Sequence, residues 1–146
     1  MGHIRLYKPF IDKMSELLIR PKFKMYCIVL KQLDSIQKGI QSAHAIVEYG
    51  NLYFNEKEYQ VWSKMDKTIV VLNAKDTSDI KNVMAQLDEL GVLFATFEEE
   101  SLDNITTSVC FLCPDAIYNA TSDIIKFNHI DVEKFRDVFI NRHLAN

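Results

Sequence analysis

KMYCIVLKQLDSIQKGIQSAHAIVEYG, residues 24–50, decides the fold. MYCIVLK (25–31) is β-branched and aromatic over a run too short for a helix, which predicts a buried strand. Asp34 or Ser35 can then cap a helix by accepting its free N–H groups. Ile36, Ile40, Ala43 and Val47 recur at helical spacing and are expected to form its core face, with Gly50 closing it. Gln41, His44 and Glu48 fall beside that stripe at spacings of three and four, so they form a polar strip on the same helix.

The surrounding sequence extends this pattern. KPFIDKMSELLIR (8–20) places Ile11, Met14, Leu17 and Leu18 on one helical face, and Pro21 is expected to stop it. A helix over 56–65 turns Tyr59, Trp62 and Val61 inward, and KTIVVLNAK (67–75) is a second strand. TSDIKNVMAQLDELG (77–91) is a helix capped by Thr77 or Ser78, with a core face of Ile80, Val83, Met84, Leu87 and Leu90 and a stop at Gly91. VLFATFE (92–98) and TSVCFLC (107–113) are two more strands, and DVEKFRDVFINRHL predicts a last helix through Val132, Phe135, Val138 and Phe139. Alternating strands and helices predict an α/β fold: a mixed sheet with helices on both faces. The chain is expected to be a single domain over 1–146, with a helical N-terminal arm at 1–23 and a helical extension at 115–146.

Composition narrows the function classes. A chain of 146 residues that is 48% hydrophobic, with four glycines and three prolines, can bury a real core. No apolar run approaches the ~20 residues that span a bilayer. MGHIRLYKPF has no apolar h-region, so secretion is not expected and the cytoplasm is. Cys27, Cys110 and Cys113 offer no second ligand pair for a metal and read as buried thiols in a reducing compartment. Neither a metal nor a cofactor is expected. Net charge is −3, yet residues 1–31 hold seven basic side chains against two acidic, or +5, leaving −8 for the remainder. A basic arm on an acidic body can contact phosphate or can simply solubilise the chain.

Among chemistry-bearing residues, His44 is either a structural histidine with one partner or a catalytic one in need of a carboxylate to orient it. FEEESLDN (97–104) lies between two strands and clusters Glu98, Glu99, Glu100 and Asp103, which can supply a general base or form a solvated turn. No phosphate-cradling glycine loop, nucleophile elbow or His/Glu metal pair is present.

KMYCIVLK followed by the Gln-x-x-His-Ala signature at Gln41, His44 and Ala45 resembles the type-2 peptidyl-tRNA hydrolases. TIVVLNAK is similar to that family's second strand, VLFATFEEE to the strand that runs into its catalytic acidic position, and SVCFLCP to its closing strand. The resemblance covers about residues 24–114 and implies a four-stranded mixed sheet. It also implies hydrolysis of the ester between a peptide and tRNA, at a site grouping a lysine, a glutamine, an aspartate and nearby threonines.

Carried over by position, the resemblance implies Lys38, Gln41 and Glu99 as catalytic residues and Gln37, His44 and Ser108 as substrate-binding ones. Gln41 matches directly. Gln37 stands where the family has its lysine, with Lys38 one place later, and Glu99 replaces the aspartate. Glu100, Ser101, Leu102 and Asp103 stand where the family has a glycine-arginine-threonine stretch, and carboxylates there repel a polyanion. Two functions therefore compete: a divergent esterase acting on peptidyl-tRNA or a related aminoacyl-tRNA, and a non-catalytic binding protein on the same scaffold. The partners implied are tRNA for the first, and for the second a protein meeting the C-terminal helix or the acidic loop.

Overall fold

A computed structural model describes residues 6–119 and 131–145. Four strands, β1 (Phe23–Leu30), β2 (Ile69–Ala74), β3 (Phe94–Glu99) and β4 (Ile105–Pro114), form one sheet in the order β2-β1-β4-β3. β1 runs parallel to β2 and antiparallel to β4, and β3 is antiparallel to β4, so the sheet is mixed as expected. β1 and β4 are central and covered on both sides, which is why both read as continuous apolar runs instead of alternating.

One face carries α2 (Ser35–Tyr53), packed across β1, β4 and β3. α1 (Lys8–Glu16) extends that layer: Tyr7 and Phe10 pack on Phe23, and the Tyr7 hydroxyl donates to Leu112 O at 2.7 Å. The basic arm is thus docked on the body from Leu6 onward, and Lys8, Lys13 and Arg20 are paired with Asp12, Glu16 and Asp66. Arg5 lies outside the described residues. The opposite face carries α4 (Thr77–Leu90) and α6 (Val132–Asp137), with Phe139 stacked on Tyr26 and in ring contact with Phe111. Each of these fully buried side chains contributes on the order of 1.5–3 kcal/mol.

Several local expectations are corrected. The predicted core stripe of α2 faces solvent, with Ile36 75% and Val47 61% exposed, while Lys38, Gln41, Ser42, Ala45 and Tyr49 are buried. Of the polar strip only Gln41 turns to the sheet, where the hydroxyls of Thr107 and Ser108 on β4 offer it hydrogen-bond partners, while His44 and Glu48 are exposed. Gly50 does not end the helix, which runs on to Tyr53; it lies where a Cβ would meet the Tyr59 hydroxyl at 2.6 Å. Asp34 supplies the α2 cap, and Asp76 caps α4 instead of Thr77 or Ser78.

Three further boundaries move. α1 ends before Pro21, since Leu18 already takes a left-handed conformation (φ 57°). The predicted 56–65 helix is a short α3 (Lys57–Val61) that widens into a π turn over Trp62–Asp66, with Trp62 Nε1 donating to Thr68 O at 2.8 Å. The predicted tail helix is helical only over α6, and Asp115–Asn119 forms a short α5. Beyond α6 the chain becomes extended and pairs with the open edge of β2: Asn73 N donates to His143 O at 3.0 Å and Ala145 N to Val71 O at 2.9 Å. That pairing covers backbone groups an edge strand would otherwise leave open.

Candidate active site

The start of α2 leans over the ends of β3 and β4, where the sheet departs from regular pairing. Phe97 pairs with Ser108 but Glu98 pairs with Thr106, so Thr107 is an extra residue on β4. Neighbours on a regular strand point to opposite faces. At this bulge both Thr107 and Ser108 reach α2: Thr107 Oγ1 donates to Gln41 Oε1, and Ser108 Oγ donates to Gln41 O at 2.8 Å.

Gln41 is 1% exposed, and its carboxamide is committed at both ends. Its oxygen accepts from Thr107, while its nitrogen donates to Glu99 Oε2 at 2.7 Å and, more weakly, to Gln37 Oε1 at 3.4 Å. The other Glu99 oxygen accepts from the Ser101 hydroxyl at 3.1 Å and the Ser101 N–H at 3.4 Å. The Gln41 bond, then the Ser101 hydroxyl, hold the Glu99 carboxyl below its ordinary value of 4.5, with the nearby His44 acting in the same direction. The exposed His44 ring lies flat on Phe97, centroids 4.3 Å apart.

Of the six residues expected at the site, Gln41 and Glu99 meet directly. Gln37 and His44 lie exposed along the same side of α2, and Ser108 is buried beneath Gln41 with its hydroxyl bound to main chain. Lys38 goes elsewhere. It is 7% exposed and donates to Asn73 Oδ1 at 3.1 Å, over β2, with two strands between it and β3. One residue of helical advance separates it from Gln37, a turn of ~100°, and that rotation aims it across the sheet. The sequence reading missed three participants: Thr107, Ser101 and Asn73. Only Thr107 carried a signal, as one of three adjacent hydroxyl residues entering an otherwise apolar strand. No group of three or more metal-ligating side chains occurs among the described residues.

The profile of the family described as Peptidyl-tRNA hydrolase PTH2 matches residues 23–122. The chain belongs to that family. Its function at the family level is therefore peptidyl-tRNA hydrolase-like, and the matched segment contains Gln41, Glu99 and Thr107 but not the tail that pairs with β2. Among curated proteins there is no significant match. Among solved structures, a protein of unknown function from Agrobacterium tumefaciens str. C58 is similar at a TM-score of 0.50 and 10% identity, over 85% of this chain and 98% of that one. That likeness concerns the fold alone. No helix among the described residues is long and apolar enough to cross a membrane.

Proposed function

We propose that this PTH2-family chain cleaves the ester that joins a peptidyl or aminoacyl group to tRNA, with Glu99 orienting the attacking water. One observation carries the reading: the Glu99 carboxylate stands at the end of β3 with one oxygen held by Gln41 at 2.7 Å and the other by Ser101. A carboxylate offers about four acceptor sites. Three are filled by protein donors, which leaves about one for a water and fixes where that water sits.

In the reaction, water adds to the ester carbonyl carbon as its proton passes to Glu99. The bond from that carbon to the ribose oxygen then breaks, and Glu99 returns the proton to the leaving oxygen. The lowered carboxyl value keeps Glu99 ionised at neutral pH and makes it a weak base that takes the proton only as the water attacks. Gln41 orients Glu99 and Thr107 orients Gln41. Ser108 seats the helix, and the exposed Gln37 and His44 would touch the tRNA 3′ end. Lys38 would reach the developing oxyanion only after letting go of Asn73. The protein acts as one cytoplasmic domain without a cofactor, and its N-terminal cations add to tRNA affinity.

The test is peptidyl-tRNA turnover by the full chain, comparing wild type with Glu99→Gln. The substitution is expected to cost about 10²–10⁴ in rate. Turnover that survives Glu99→Gln unchanged, or wild type without ester cleavage, overturns the proposal.

A second reading is favoured by the engagement of Lys38 with Asn73 and by the Glu98–Glu100 acid run beside the site. In it the scaffold binds a protein, through the acidic loop or the C-terminal segment, without catalysis. Salt separates the two: tRNA binding that weakens steeply with ionic strength supports the first, and an absence of tRNA binding supports the second.

A further inference from the structure

The connection from α1 to β1 carries the most exposed large apolar side chain among the described residues. Leu18 is 94% exposed, and Leu17 and Ile19 beside it are exposed too. Main-chain bonds close the turn: Leu18 N donates to Ser15 O at 3.0 Å and Ile19 N to Met14 O at 2.9 Å. They leave Leu18 at φ 57°, the left-handed position after a helix that glycine takes freely and leucine takes under strain. Fold stability does not account for a leucine there, since the backbone disfavours it and its side chain stays in solvent. The tip is nonetheless held firmly. Phe10, Ile11 and Met14 anchor α1 in the core, and Arg20 Nη1 is bonded to Asp66 Oδ1 at 2.7 Å.

Cations surround this tip. Asp66 accepts from Arg20 and from Phe23 N, which brings the π turn alongside, with its exposed Lys64 and Met65 and the adjoining Lys67. The carboxylates nearby are Glu16, Asp66 and Asp115, each within 4 Å of one cation, Lys13, Arg20 and Lys24 respectively. Lys22, Lys64 and Lys67 remain, exposed and without an ion pair among the described residues. This end therefore keeps a local +3 on a chain whose net charge is −3.

We infer that this end docks peripherally on an anionic lipid surface, with Leu17, Leu18 and Ile19 at the acyl boundary and Lys22, Lys64 and Lys67 among the headgroups. A bilayer offers an apolar interior and negative charge together, anywhere on its plane. A nucleic acid would use the cations and leave the leucines idle. The negative remainder of the chain is repelled by the same surface, which orients the molecule tip first. Leu17 to Lys22 precede the segment matched by the PTH2 profile, and β4 separates them from Glu99: Pro114 pairs with Phe23 at one end and Ile105 with Glu99 at the other. Docking thus leaves the Gln41–Glu99 site facing away from the lipid.

The experiment floats the full chain with vesicles of phosphatidylcholine alone and of phosphatidylcholine mixed with phosphatidylserine. Binding is expected only with the serine lipid, and it should weaken as salt rises. Leu18→Gly suits the left-handed turn, so its melting temperature should be no lower than wild type while its vesicle affinity falls about tenfold. Lys22→Gln should weaken binding about fivefold. Leu18→Trp gives a readout independent of these losses: brominated acyl chains should quench its fluorescence beyond anything seen for the buried Trp62 of wild type. No vesicle binding, equal binding without the serine lipid, or no added quenching in Leu18→Trp overturns the assignment. So does undiminished binding by Leu18→Gly, which would leave only a cation patch, and so does lipid-free self-association that Leu18→Gly abolishes, which would give the tip to a second copy of the chain.

Discussion

Gln41 Nε2 donates to Glu99 Oε2 at 2.7 Å, tying the first half of α2 to the last residue of β3, 58 positions further along the chain. The bond joins an uncharged, buried amide to an accessible carboxylate, so the amide fixes the carboxylate without neutralising it. Charge-assisted bonds of this kind are shorter and stronger than neutral ones.

The pH profile of turnover should register that bond. Gln41 and Ser101 favour the ionised form of Glu99, so its pKa lies below the ordinary 4.5 and activity should persist above that lowered value. Gln41→Ala removes the largest cause, and the acid limb of kcat/KM should then move toward higher pH. Thr107→Val should move it in the same direction by less, because Gln41 remains. An unmoved limb in Gln41→Ala would remove Gln41 from the positioning of Glu99.

Lys38→Ala should cost less in kcat/KM than Glu99→Gln, since the ammonium is bonded to Asn73 at 3.1 Å and not to Glu99. Comparing the two variants with Asn73→Ala in one peptidyl-tRNA assay checks this. Equal losses at Lys38 and Glu99 would mean that Lys38 leaves Asn73 during turnover.

Much of this was readable before any coordinates. Four strands and their succession along the chain follow from short β-branched runs separated by helical periods, while the family resemblance singles out Gln41 and Glu99, whose side chains meet. The inner face of α2 was not readable. Gln41 is buried there with Thr107 and Ser108 standing opposite with hydroxyls, a relation between segments 66 and 67 residues apart that no local period encodes. The extended tail was misread for a similar reason. Val132, Phe135, Val138 and Phe139 suit a helix, and it is the open edge of β2 that draws residues 143–145 into pairing.

Asp79 and Arg142 fasten that tail, with bonds of 2.7 and 2.8 Å and side chains mostly out of solvent. The Arg142 hydrogen bonds hold the Asp79 carboxyl below its ordinary 3.8. A lowered folded-state value stabilises the fold above the unfolded one, and that contribution disappears as pH falls through the folded value. Asp79→Asn should therefore cost about 1–3 kcal/mol at neutral pH and progressively less in acid. Urea denaturation at several pH values measures it, and a constant cost across pH would contradict the assignment.

Cys27, Cys110 and Cys113 should resist thiol reagents in the native protein. All three are buried and free, and burial pushes the Cys27 thiol up to about 12 and the other two upward as well. Thiolate, not thiol, reacts. Labelling kinetics should show all three becoming reactive only under unfolding conditions.

Gly50→Ala should destabilise by about 1–3 kcal/mol, the usual range for overpacking. The added methyl would meet the Tyr59 hydroxyl at 2.6 Å, and that ring is hemmed in by Tyr49 and Trp62, each 5.9 Å away. Tyr59→Phe in the same chain should recover part of the loss, as thermal unfolding of the single and double variants would reveal.

The irregular step between Phe97 and Glu98 makes the site depend on a residue count as well as on residue identity. Removing any one position between Ile105 and Thr107 would restore even alternation while leaving β4 apolar and paired. Only one hydroxyl would then face Gln41, so the amide would lose its anchor without a single contact residue being substituted. Insertions and deletions at the mouth of β4 are thus a sharper tool on this site than point changes nearby, because they shift the phase of the strand and not its chemistry.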